Sequence, residues 1–67
     1  MNKTHKHQIT LHVERESEHY WGKAEHFGVQ VSGSAHTEEQ LLESIKIDLL
    51  LQCGLYEYQY DLVVEYD

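Results

Sequence analysis

His5, His7, His12, His19, His26 and His36 are the side chains with the broadest chemical reach in this chain. Imidazoles ligate transition metals and exchange protons near neutral pH. Tight metal sites space their ligands regularly, as in paired cysteines or a His-Glu-x-x-His helix. None of the six falls within the helical segment, and four lie in the N-terminal lead-in or at breaks. His5 and His7, on an extended lead-in, suit weak tag-like binding, so neither a physiological metal site nor a cofactor is expected. Cys53 stands at the end of a helix, where the dipole disfavours a thiolate, and its neighbours suggest core. Ser32, Ser34 and Ser44 have no nucleophile motif around them, and no Gly-rich phosphate loop is present. Glu14 with Glu16 and Glu38 with Glu39 are paired carboxylates. Their placement on a strand face and at a helix start fits solvated surfaces. A chain this small has little mass from which to build a catalytic pocket. The expectation is a non-enzyme.

Those side chains sit on a frame of 67 residues, one domain near the lower size limit for folding without disulfide or metal. Cys53 is the one cysteine, so no intramolecular disulfide staples the chain. Burial against a second copy would supply the missing stability, and a homodimer or higher oligomer is expected. The formal charge of −7 argues against general affinity for nucleic acid and suits a basic protein partner. No apolar run approaches the roughly 20 residues of a membrane span. The start, Met1 to Gln8, is polar and lacks a signal-peptide core. A cytoplasmic protein is expected.

Residues 1–7 read as a disordered lead-in, and 8–67 as a single domain. From Gln8 to Glu16, Ile9, Leu11 and Val13 alternate with Thr10, His12, Glu14 and Glu16, the signature of a half-buried strand. Ser17 to His19 break it. Tyr20 to Glu25 forms a ring-rich second strand. His26 to Gly28 turn the chain, and Val29 to Ser32 forms a third strand. Gly33 marks a bulge or a close backbone approach. Thr37 and Gln40 form a capping-box pattern, with Glu38 and Glu39 at the positive end of the helix dipole. Leu41, Leu42, Ile45 and Leu49 then recur at helical spacing, and Gly54 is the stop. Leu55 to Asp67 alternates again as a fourth strand, with Tyr56, Tyr58, Tyr60, Leu62, Val64 and Tyr66 on one side. The predicted fold is α+β, ordered β-β-β-α-β, an antiparallel sheet with one helix packed on one face.

Two surfaces exceed what one core requires. Ile47, Leu50 and Leu51 widen the apolar stripe of the helix, either as a broad buried arc or as a contact between copies. Tyr58 and Tyr60 are assigned to self-association with them, since Tyr-rich strands favour interfaces. Glu57, Asp61, Glu65 and Asp67 point outward from the last strand. They keep an edge soluble or they face a partner.

Several segments together resemble a known family. These are Ile9-Thr10-Leu11-His12-Val13-Glu14, the ring-bearing Tyr20-Trp21-Gly22-Lys23-Ala24, Phe27-Gly28-Val29-Gln30-Val31-Ser32-Gly33, and the Ala35-His36-Thr37-Glu38-Glu39-Gln40-Leu41-Leu42 helix start. Over residues 8–52 the chain is similar to HicB-type antitoxin domains, which share a partial ribonuclease H-like fold without its activity. The resemblance implies a protein that binds and blocks a small, basic, RNA-cleaving toxin. Phe27 stands where the family's proline precedes the turn glycine. Past the helix comes one more strand rather than a DNA-binding module, so a solitary form is implied. Two other functions fit the residues. One is a small acidic, phage-encoded inhibitor of a host nuclease or defence complex, acting as a nucleic-acid mimic. The other is a metal- or small-ligand-binding domain using the histidines and the Tyr face.

Overall fold

A computed structural model describes residues 6–67, so the first five residues of the predicted lead-in lie outside the described residues. The order is β1 (His7–Glu16), β2 (His19–His26), β3 (Val29–Ala35), α1 (Glu38–Cys53), a single 3-10 turn (Glu57–Gln59) and β4 (Tyr60–Tyr66). This is the predicted α+β order, β-β-β-α-β. His7, taken as lead-in from its composition, belongs to β1 and pairs with Tyr60.

The strands form one sheet in the order β3-β2-β1-β4. β1·β2 and β2·β3 are antiparallel hairpins, whereas β4 lies parallel to β1. The expectation of an antiparallel sheet is corrected at this pair. Three hairpin-linked strands run up, down and up. One helix carries the chain back down, so the next strand must run up, alongside β1 and in its direction.

Backbone conformation explains both hairpin turns. Glu16 pairs with His19 and His26 with Val29, leaving two-residue loops. In the second, Phe27 and Gly28 have φ of 50° and 83°. Two successive positive φ values are the requirement of a type I′ turn, which matches the twist of the strands it joins. Ser17 alone is left-handed in the first loop, at φ 58°.

The helix begins where its sequence indicates, with the threonine half of the predicted capping box. Thr37 is extended and its hydroxyl accepts the Gln40 N–H at 3.1 Å. Gly54 ends it at φ 68°, ψ 23°, a left-handed position that glycine adopts without steric cost. Leu41, Ile45 and Leu49, one helical face, are fully buried against Ile9, Leu11, Val13, Ala24 and Val31 from the sheet. The helix lies nearest β3 and β2. Gly22 and Gly33 pair beneath it, in continuous register. Gly33 is therefore a close approach rather than a bulge: a Cβ there would lie 3.0 Å from Ser44 Oγ.

The last strand starts later than its alternation implies. Tyr56 and Tyr58 leave the predicted strand because Glu57–Gln59 wind into the 3-10 turn, where the Tyr56 N–H donates to the Gln59 side-chain oxygen at 2.8 Å. Tyr60, assigned to self-association, is instead core, at 4% exposure.

Candidate functional site

The helix covers one face of the sheet, and alternation sends every second residue of each strand to the other face. Cross-strand register assembles that open face into rows. Glu14 stands opposite Trp21, and Trp21 opposite Ser34. In the next row His12 stands opposite Lys23, Lys23 opposite Ser32, and His12 opposite Glu65 on its other side. All of these but Glu65, with Glu16 and Asp67, line an open cavity of about 590 Å³. The Asp67 N–H donates to the Val13 carbonyl at 2.9 Å, which holds Asp67 at the Glu14 end of β1.

Trp21, the chain's one tryptophan, is 42% exposed on this face. Its indole is supported from one side. The His19 ring centroid lies 4.5 Å from it at a 46° tilt, and His36 meets His19 edge-on at 5.1 Å. Both rings come from the strand ends bordering the cavity, one before β2 pairs fully and one after β3.

The four acids assigned to partner binding separate into two groups. Glu65 and Asp67 converge on His12, whose Nδ1 lies 3.7 Å and 3.9 Å from their carboxylate oxygens. Glu57 and Asp61 lie at the opposite end of β4, each beside a lysine. Lys46 Nζ donates to Glu57 at 2.8 Å, and Lys6 Nζ is 3.8 Å from Asp61. The ammonium holds the Glu57 carboxyl below its usual range, and the same bond raises Lys46. Asp67 lines the cavity and Glu65 stands beside His12, whereas Asp61, on the same face by alternation, lies four residues from Glu65 along β4. Glu14, Glu16, His12, Trp21 and Lys23 complete the open acidic face. Alternation alone makes Glu14 and Glu16 a solvated strand face, and it is register that brings Trp21 beside Glu14.

On the other face, Ile47, Leu50 and Leu51 are exposed on the outside of α1, so the broad-buried-arc account does not hold for the single chain. Leu62 and Val64 are half-buried and, with Leu42 and Tyr60, line a groove between α1 and β4. The Tyr60 hydroxyl is buried without a partner, and desolvation raises its pKa.

His7 and His26 meet edge-on at 4.8 Å, with Phe27 at 4.4 Å from His26. Among the described residues no three His, Cys, Asp or Glu side chains converge to hold a metal ion, and His5 lies outside them. No helix among them is long and apolar enough to cross a membrane. Cys53 is a half-buried free thiol packed at the edge of the core. No protein-family model, curated protein or solved structure matches this chain.

Proposed function

We propose that the chain is a protein-binding module that neutralises a small, basic, RNA-cleaving toxin, as the resemblance to HicB-type antitoxins implies. The observation that carries the reading is the open sheet face, where an exposed Trp21 sits among Glu14, Glu16, Glu65 and Asp67. Aromatic anchors surrounded by charge are the usual energetic centre of a protein interface. A negative face steers a basic partner and repels nucleic acid, so the target is the toxin's RNA-binding surface rather than RNA. The module acts by covering that surface and turns over no substrate. It works in the cytoplasm, where Cys53 stays reduced. Ile47, Leu50 and Leu51 join it to a second copy, on the side of the sheet away from the docking face.

Affinity capture from a bacterial lysate, followed by an RNA-cleavage assay on the captured protein, tests the reading. The expected result is a short basic protein whose cleavage of RNA stops on addition of this chain. Replacing both Glu65 and Asp67 with Lys should relieve the inhibition. Retention of a large nuclease complex would put the nucleic-acid-mimic reading in its place. Retention of a metal or small ligand alone would overturn both.

A further inference from the structure

We infer that the cavity around Trp21 is a guanidinium-binding site, taking an arginine side chain of a basic partner flat against the indole. The inference deepens the docking face proposed above and rests on it for the partner being a protein.

The wall residues are matched to that one group. A guanidinium is planar, always charged and weakly hydrated, so it stacks on an aromatic ring while its in-plane N–H groups reach outward. Here the same cavity wall carries carboxylates. Glu14 is the cross-strand neighbour of Trp21, and Glu16 and Asp67 border the same cavity. Ser34, the neighbour of Trp21 on β3, adds a hydroxyl acceptor for a remaining N–H. Lys23 is the cavity's one ammonium, beside the carboxylates of Glu14, Glu16 and Asp67. The balance favours a cation.

Other ligands fit less well. Lysine offers a compact, strongly hydrated ammonium that gains less from a flat ring. A phosphate or a nucleic-acid strand would be repelled by the carboxylates of Glu14, Glu16 and Asp67 in the wall. The chain makes the same contact once within itself, with the Arg15 guanidinium carbon 5.6 Å from the Tyr20 centroid. The His19 ring against Trp21 steadies the indole from one side.

Because Trp21 is the only tryptophan, its fluorescence reports this site directly. The intact chain is titrated at low ionic strength with tri-arginine amide and with tri-lysine amide. Saturable change with the arginine peptide is expected, at roughly fivefold or more tighter affinity than with the lysine peptide. Equal affinities would reduce the effect to general charge attraction and overturn the assignment. Glu14→Gln should weaken tri-arginine binding several-fold, whereas Glu39→Gln, on α1 and outside the cavity wall, should leave it unchanged. Equal weakening by both would likewise overturn it. Trp21→Phe, followed by calorimetry, should lower the arginine preference, and circular dichroism confirms that the variants are folded. The titration and the RNA-cleavage assay fail independently. An arginine site can stand without a toxin, and a toxin can be blocked without an arginine site.

Discussion

The Cδ2 atom of Leu41 lies 3.0 Å from the point where a Cβ on Gly22 would stand, and Leu11 Cδ1 lies 3.1 Å from it. The helix thus rests on the sheet through the absence of a side chain. Gly22→Ala should destabilise the fold by about 1–3 kcal/mol through overpacking. Leu41→Ala should cost about 2–5 kcal/mol through the cavity it leaves. The double variant should cost clearly less than the two together, because each change makes room for the other. Urea denaturation of the four proteins measures the coupling, and strict additivity would sink the account.

Phe27 occupies the first position of the β2–β3 turn at φ 50° with its side chain 85% exposed. A bulky residue is disfavoured in left-handed backbone, and Asn-Gly is the preferred pair for this turn. Phe27→Asn should raise stability by about 0.5–1 kcal/mol, visible as a higher thermal midpoint. A fall would show that contact with His26 and His7 outweighs the backbone strain.

Tyr66 donates its hydroxyl proton to Glu38 in the first turn of α1, and its pKa is pushed up to about 12 chiefly by that bond. A raised folded pKa means stability that is complete below the ordinary tyrosine value of 10.0 and lost as pH climbs through about 12. Tyr66→Phe should flatten this alkaline loss, read by circular dichroism alongside tyrosinate absorbance.

The bond between Lys46 and Glu57 has its own window. Glu57 is lowered from 4.5, so its contribution is present above that value and disappears as pH falls through its folded pKa. Lys46 is raised from 10.5, so its contribution holds below that value and goes as pH rises through its folded pKa. Lys46→Met should remove the acid-side component, seen as a shallower loss of urea midpoint below pH 5. An unchanged acid profile would show that Glu57 is not the responsible carboxylate.

Leu50 and Leu51, with Ile47, form an apolar surface on the outer side of the helix. Replacing Leu50 and Leu51 with Glu should convert an oligomer to a monomer of 7.9 kDa in sedimentation equilibrium. An unaltered mass would move the self-association surface elsewhere. The substitutions touch no buried position, so the melting profile should change only through loss of the partner copy.

The helix was legible end to end because its signals are local. Thr37 and Gln40 are three residues apart, and Gly54 directly follows the last turn. The first strand was equally plain from Ile9, Leu11 and Val13. The fourth strand began too early because Glu57 and Gln59 alternate as strand residues would. The Gln59 side chain instead closes back on the Tyr56 amide, a short-range hydrogen bond that competes with pairing. Parallel pairing to β1 was hidden because periodicity describes faces and not neighbours. The same reason concealed the site. Glu14 and Trp21 could each be placed on the open face, but only register makes them adjacent.

The parallel pairing of β1 with β4 runs over seven residue pairs, from His7–Tyr60 to Val13–Tyr66. Because the two strands point the same way, the start of β1 and the end of β4 lie at opposite ends of that ladder. Tension applied between those two points acts along the strands and loads the rungs together in shear. Tension applied to adjacent strand ends would open a hairpin one rung at a time. Stretched from its first and last strands in a single-molecule trap, this small domain should rupture at a distinctly higher force than when peeled at the β1–β2 hairpin.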